Sequence, residues 1–162
     1  MTVYVFDTGL FITFFSYYYP NIFPSLWERF NETLARGRIT STREVFNELG
    51  RHGDSDMDWC REHKELFPTP TVSEGAFVSE IFKVSRFKEM VTKKNVIDGR
   101  PIADPFVIAR AKHLSDRGIS SCVVTTEKKR TPTGSKIPNV CEHFGIDCVN
   151  PEGFMERENW RF

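Results

Sequence analysis

The sequence predicts an α/β protein, a three-layer α/β/α sandwich around a central, mainly parallel sheet. Its first apolar run, Val3–Phe6, is typical of a strand buried on both faces of a parallel sheet. Similar short runs cover residues 121–126 and 146–149, and residue 39 lies in a further short extended segment. Helical patterns separate these strands and hairpin signals are few, which favours parallel pairing through crossover helices.

Composition is that of an ordinary globular protein. The 162 residues are 40% hydrophobic and 27% charged, and we expect one domain over residues 1–162. The net charge is zero, so any nucleic-acid contact must come from local patches. The four cysteines form no CxxC pair, which predicts reduced thiols in the cytoplasm. We expect neither a signal peptide nor a membrane span, because no apolar run is long enough and the first residues lack a basic region.

Helices are expected between the strands and after the last one. Ser41 and Glu44 match a capping box that would start one of these helices. A polar connection with an Asp-Gly turn signal is predicted over residues 93–101. The other helical patterns cover residues 10–15, 21–37, 56–66, 73–92, 137–144 and 151–160.

Two acids directly follow predicted strands. Asp7 ends the first strand, and Glu127 comes after the strand over residues 121–126. The carboxyl ends of parallel strands meet at one edge of the sheet, where open α/β sheets bind their ligands. We therefore expect these two carboxylates to lie near each other.

Two further acids lie in or before helices. Glu48 is next to the apolar stripe of its helix, where it is either half-buried or a solvated edge residue. Asp104 precedes Pro105, as the capping residue of a helix does, and a cap at a sheet edge can also reach a metal ion.

Two other stretches each have two interpretations. A basic loop is either solvated or in contact with phosphate, and it contains Lys128, Lys129, Arg130 and Lys136. The aromatic run over residues 17–19 either packs at a helix end or stacks against unpaired bases. A zinc site is not expected, because Cys141 and His143 lack partners at a usable spacing.

Convergence of the four acids would require positive charge. Two carboxylates about 5 Å apart repel by roughly 3 kcal/mol at an effective dielectric constant of about 20. Such a cluster must take up protons or bind metal, and oxygen ligands select Mg²⁺ or Mn²⁺. These ions can activate water and stabilise the leaving oxygen of a phosphodiester.

Four segments, in order, resemble the motifs of the PIN-domain family, and the overall pattern is similar to a prokaryotic PIN-like branch. They are Val3-Tyr4-Val5-Phe6-Asp7-Thr8, Glu44-Val45-Phe46-Asn47-Glu48-Leu49, Ala103-Asp104-Pro105-Phe106-Val107-Ile108-Ala109-Arg110-Ala111 and Val123-Val124-Thr125-Thr126-Glu127. The resemblance implies a metal-dependent endoribonuclease that cuts single-stranded RNA with Mg²⁺ or Mn²⁺. It also implies a toxin that is neutralised by an antitoxin protein, as in VapC-like ribonucleases, and a homodimer.

By position, the resemblance assigns metal ligation to Asp7, Glu48 and Asp104. Glu127 stands where the family commonly has Asp, and the Thr125 hydroxyl would orient ligands or water. Gly9 departs from the usual Asn or Ser, which removes a polar contact.

Two other functions compete with the nuclease. The first is a non-catalytic module that binds RNA or a protein partner, which both departures favour. The second is a phosphatase of the haloacid dehalogenase type, in which Asp7 would be the nucleophile. That family needs a second Asp where this chain has Gly9.

Overall fold

The computed structural model describes residues 1–91 and 102–162. The connection predicted over residues 93–101 therefore falls outside the described residues. In the described part, four strands form one sheet with neighbouring strands in the order β2-β1-β3-β4, and all the pairings are parallel. This confirms the predicted α/β class and its parallel sheet. The strands are β1 (Val3–Phe6), β2 (Ile39–Thr40), β3 (Ser121–Val124) and β4 (Cys148–Val149).

The order of the strands reverses at β1. From β1 the chain first pairs β2 on one side, with Tyr4 opposite Ile39, and later pairs β3 on the other side, with Tyr4 opposite Cys122. In open α/β sheets a ligand crevice forms at such a reversal, outside the carboxyl ends of the two strands involved. The fold therefore places its crevice after Phe6 and Val124.

Helices connect and flank the strands, close to the predicted positions but mostly with shorter ends. Short 3₁₀ segments, Lys64–Leu66 and Ser85–Met90, extend two of the predicted helices. No helix among the described residues is both long and apolar enough to cross a bilayer. The helices of the described part are α1 (Thr8–Tyr17), α2 (Pro24–Ala35), α3 (Arg43–Leu49), α4 (Asp54–Glu62), α5 (Val72–Lys83), α6 (Asp104–Asp116), α7 (Ile137–Phe144) and α8 (Pro151–Arg157).

Aromatic rings fill one side of the sheet. The Phe6 ring lies 5.2 Å from Phe154 of α8, 6.2 Å from Phe14 of α1 and 6.1 Å from Phe30 of α2, measured between ring centroids. Alternate residues of a strand face opposite sides, so the buried Val5 side chain faces the other layer. There α6 packs against β1 and β3, and α5 packs against α6. The layers are those of an α/β/α sandwich.

The capping box predicted at Ser41 is wrong. The Ser41 hydroxyl donates to the Phe6 carbonyl oxygen at 2.7 Å, which links β1 to the residue after β2. Helix α3 has Thr42 at its N-cap with no side-chain bond, and the Glu44 carboxylate instead accepts from Arg43 at 2.6 Å. A long-range partner for Ser41 therefore replaces the local one.

Candidate functional site

Asp7 lies where β1 becomes α1, and it is 3% exposed. Its Oδ1 accepts from the Leu10 backbone N–H at 2.8 Å, so the side chain caps α1. Its Oδ2 accepts from the Thr125 hydroxyl at 2.5 Å, across the crevice between β1 and β3. Burial raises the pKa of Asp7 to about 6, although both hydrogen bonds act to lower it.

Thr125 and Glu127 follow β3 on the other side of this crevice. The Thr125 hydroxyl accepts from the Glu127 backbone N–H at 3.0 Å while it donates to Asp7. The half-buried Glu127 side chain reaches the start of α7, where its Oε2 accepts from the Ile137 N–H at 2.8 Å. Thr125 thus links the two predicted strand-end acids through one hydroxyl group.

Glu48 reaches the start of α6 from α3. It is half-buried, as one of its two interpretations predicted. Its Oε2 accepts from the Ala103 backbone N–H at 3.0 Å. Because Ala103 immediately precedes α6, this bond holds the Glu48 carboxylate beside Asp104.

Asp104 is the first residue of α6 and not its cap, since the N-cap position is Ala103. Within residues 1–91 and 102–162, no group donates a hydrogen bond to its carboxylate. Burial, followed by the neighbouring carboxylates of Glu127, Glu48 and Asp7, raises the pKa of Asp104 to about 8. The four predicted acids therefore form one electrostatic cluster, which we call the acidic edge.

The donor chemistry of the acidic edge fits a hard divalent cation. All four side chains offer carboxylate oxygens, and the backbone bonds of Glu48 and Glu127 each use one of the two oxygens. Among the described residues, however, no three His, Cys, Asp or Glu side chains are arranged to hold a metal ion. Ligation of Mg²⁺ or Mn²⁺ would require carboxylates of the acidic edge to turn toward a common point.

The glycine at position 9 has a steric explanation at this site, because a side chain there would not fit. A Cβ atom on residue 9 would lie 2.4 Å from the Thr126 Oγ1 atom, well inside van der Waals contact. The Thr126 hydroxyl thus occupies the space that a side chain at position 9 would fill, near the Asp7 carboxylate. Thr126 was not predicted as a site residue. The signal for it in the sequence is Gly9, close after the first strand, together with the adjacent Thr125 and Thr126.

The predicted basic loop is partly neutralised. Lys129 forms an ion pair with Glu142, and the Lys136 Nζ lies 3.9 Å from the Glu127 Oε1. Lys128 and Arg130 are exposed and form no ion pair with any other residue that the structure describes. Phosphate contact by this loop remains a prediction, and these two side chains are the cations available for it.

The aromatic run over residues 17–19 divides between packing and exposure. Tyr18 packs its ring edge-on against Phe14, at 5.8 Å between centroids. Tyr17 is 70% exposed and Tyr19 is 50% exposed. The packing interpretation therefore holds for Tyr18, whereas the other two rings are accessible to a partner.

Comparison with protein families gives one match, a domain of unknown function named DUF4411, over residues 4–162. The chain belongs to the DUF4411 family. The match covers the whole acidic edge of this DUF4411 protein, from Asp7 to Glu127. Comparison with curated proteins gives no match. Because the DUF4411 description carries no activity, the resemblance to PIN domains remains a prediction.

Proposed function

We propose that this DUF4411 protein is an endoribonuclease that hydrolyses phosphodiester bonds of single-stranded RNA with Mg²⁺ or Mn²⁺. The observation that supports the proposal is the acidic edge, where burial and three other carboxylates from separate parts of the chain together raise the pKa of Asp104. A protein gains no stability from buried carboxylates that repel one another. Such an arrangement is expected where a cation binds.

The proposed roles follow from the contacts. Asp7, Glu48 and Asp104 would hold the cation, with Glu127 as a further ligand, and the bound ion supplies Lewis acidity and a more acidic water. Thr125 fixes the direction of the Asp7 carboxylate through its 2.5 Å hydrogen bond. Lys128 and Arg130 would contact the RNA phosphates, together with Lys129 and Lys136 once RNA competes for them.

We also propose that the nuclease is the toxin of a cytoplasmic toxin–antitoxin pair and forms homodimers. Exposed apolar side chains support a protein partner: Tyr17, Tyr19, Ile22 and Phe23 lie close together in the chain and are 39–70% exposed. All four cysteines are free thiols, in keeping with a reducing compartment.

A non-catalytic RNA- or partner-binding module is the second candidate. The observation in its favour is that no three potential ligands among the described residues are arranged around a metal position. Such a module would bind RNA or protein without consuming it.

Cleavage of unstructured RNA tests the nuclease. We expect cleavage with Mn²⁺ and none with EDTA, and Asp7→Asn and Asp104→Asn should lower the rate by about 100-fold or more. Asp116→Asn, the same substitution at the far end of α6, should leave the rate unchanged. RNA binding without cleavage would favour the module, and release of phosphate from small phosphomonoesters would favour the phosphatase.

A further inference from the structure

A pocket apart from the acidic edge lies between α3 and the segment that follows α4. It is a cavity of about 190 Å³ lined by Arg43, Phe46, Lys64 and Phe67. The two rings meet edge to face at 5.5 Å between centroids. Phe67 is buried and Phe46 is half-buried, whereas Arg43 and Lys64 are exposed. Two aromatic side chains thus form the floor, and two cationic side chains form the rim.

This aromatic–basic pocket is connected to the acidic edge through α1 and α3. The Phe67 ring lies 5.5 Å from the ring of Phe11, which is one turn of α1 beyond Asp7. With a rise of about 1.5 Å per residue, Phe11 is only about 6 Å further along the helix axis than Asp7. Helix α3 contributes to both places, with Phe46 on the pocket side and Glu48, two residues further on, on the opposite side. A single strand that passes from one side of α3 to the other would reach both places.

The lining indicates the chemistry of the occupant. Among the described residues, Lys64 forms no ion pair and no acidic side chain lines the cavity. Arg43 gives Nε and Nη2 to Glu44, which leaves its Nη1 for another acceptor. Aromatic floors bind the π-face of a base, and a cationic rim binds a phosphate. An apolar protein side chain would use the floor but would gain nothing from the charges.

We propose that the aromatic–basic pocket binds one nucleotide of a single-stranded nucleic acid, with its base against Phe46 and Phe67 and its phosphate at Lys64 and Arg43. The proposal rests on the proposed function, because it takes the strand at the acidic edge as the source of that nucleotide. It adds a binding subsite on the α3 side, away from the basic loop.

Binding, measured apart from cleavage, tests the subsite. The full chain carrying Asp7→Asn is titrated into fluorescently labelled single-stranded RNA, and separately into DNA of the same sequence, and anisotropy is followed over a range of salt concentrations. Phe46→Leu should weaken binding about 5- to 100-fold, because the stacking surface is lost. Phe46→Tyr keeps an aromatic ring at this position and should bind about as tightly as the chain with Phe46.

Charge removal gives an independent result. The logarithm of the affinity falls linearly with the logarithm of the salt concentration. Lys64→Gln should make this fall less steep, by about 0.7 in the slope, the value for one phosphate contact on a single strand. Lys83→Gln is the matched control, because Lys83 is an exposed lysine on α5 and is paired with Glu80. That variant should leave affinity and slope unchanged. Circular dichroism of each variant checks that the fold is kept.

The outcomes separate the subsite from the nuclease. If Phe46→Leu and Lys64→Gln bind like the Lys83→Gln control, or if neither oligonucleotide binds at low salt, the subsite is refuted and the pocket is left to a protein partner. If the variants weaken binding but the wild-type chain does not cleave RNA, the subsite stands and the nuclease fails. Tighter binding of RNA than of DNA would identify RNA as the polymer that supplies the nucleotide. Equal binding would support a subsite that accepts either polymer.

Discussion

Asp104→Asn should stabilise the metal-free protein, and the gain should grow with pH. The folded state raises the pKa of Asp104 from 3.8 to about 8, first through burial and then through neighbouring carboxylates. Between these values the folded protein holds a proton that the unfolded chain has released. Wild-type stability therefore falls as pH rises through this window. An asparagine at position 104 removes this dependence and can donate hydrogen bonds to the nearby carboxylates.

The magnitude follows from the pKa shift. From 3.8 to pH 7 is about 3 pKa units at about 1.36 kcal/mol each, so the cost at pH 7 is on the order of 4 kcal/mol. The amide of Asn is also polar and must lose water, which offsets part of the gain. We expect Asp104→Asn to be more stable than wild type by about 2 to 4 kcal/mol at pH 7, and nearly equal to it at pH 4.

Urea unfolding in EDTA, followed by tryptophan fluorescence from pH 4 to pH 8, measures this difference. Asp116→Asn, on the same helix with a 61% exposed side chain, should show little change in the difference across the range. Mg²⁺ or Mn²⁺ should narrow the difference, since a cation at 100 times its dissociation constant stabilises only the binding-competent wild type, by about 2.7 kcal/mol. A wild-type advantage in EDTA at pH 8, or a difference that does not change with pH, would refute the reasoning.

Two stability predictions concern other contacts. Gly9→Ala should lower the free energy of unfolding by about 1 to 3 kcal/mol, because the added methyl group meets the Thr126 hydroxyl. Adding Thr126→Ala to the same chain should recover most of this loss. If thermal unfolding shows that the two substitutions destabilise additively, the proposed clash is contradicted. Glu158→Gln should cost about 3 to 5 kcal/mol, because it breaks a bidentate pair with Arg38 whose side chains are 9% and 14% exposed. The exposed Glu32→Gln control should cost about 1 kcal/mol or less, and equal costs would contradict the burial argument.

Local patterns were enough to predict the sheet and the acids at its edge. The apolar run before Asp7 and the one before Glu127 identify β1 and β3, and parallel pairing then brings their ends together. For Glu48, the helical period beside the apolar stripe indicated a half-buried position as one of two interpretations. These features depend on periodicity, which a single sequence displays directly.

Contacts between distant residues could not be predicted. Ser41 matches a capping box, but the Phe6 carbonyl competes for its hydroxyl once β1 and β2 pair. The sequence around Lys129 does not indicate its acidic partner. Glu142 on α7 forms an ion pair with it only because the fold brings the loop next to that helix. Each of these partners is brought into contact only by the tertiary fold, so neither residue propensity nor spacing along the sequence predicts the contact.

The aromatic–basic pocket shows the same limit. Phe46 and Phe67 lie in different segments, and each reads alone as an ordinary core residue. Only their packing at 5.5 Å, with Arg43 and Lys64 beside them, forms a cavity.

The binding of a divalent cation at the acidic edge is the central claim, and anomalous diffraction from crystals soaked in Mn²⁺ tests it most directly. The account predicts an anomalous peak within ligand distance of Asp7 and Asp104, with Glu48 or Glu127 turned toward it, and no such peak in Asp104→Asn crystals soaked in the same way. Wild-type crystals with no peak at this edge, or with manganese bound only elsewhere, would contradict it.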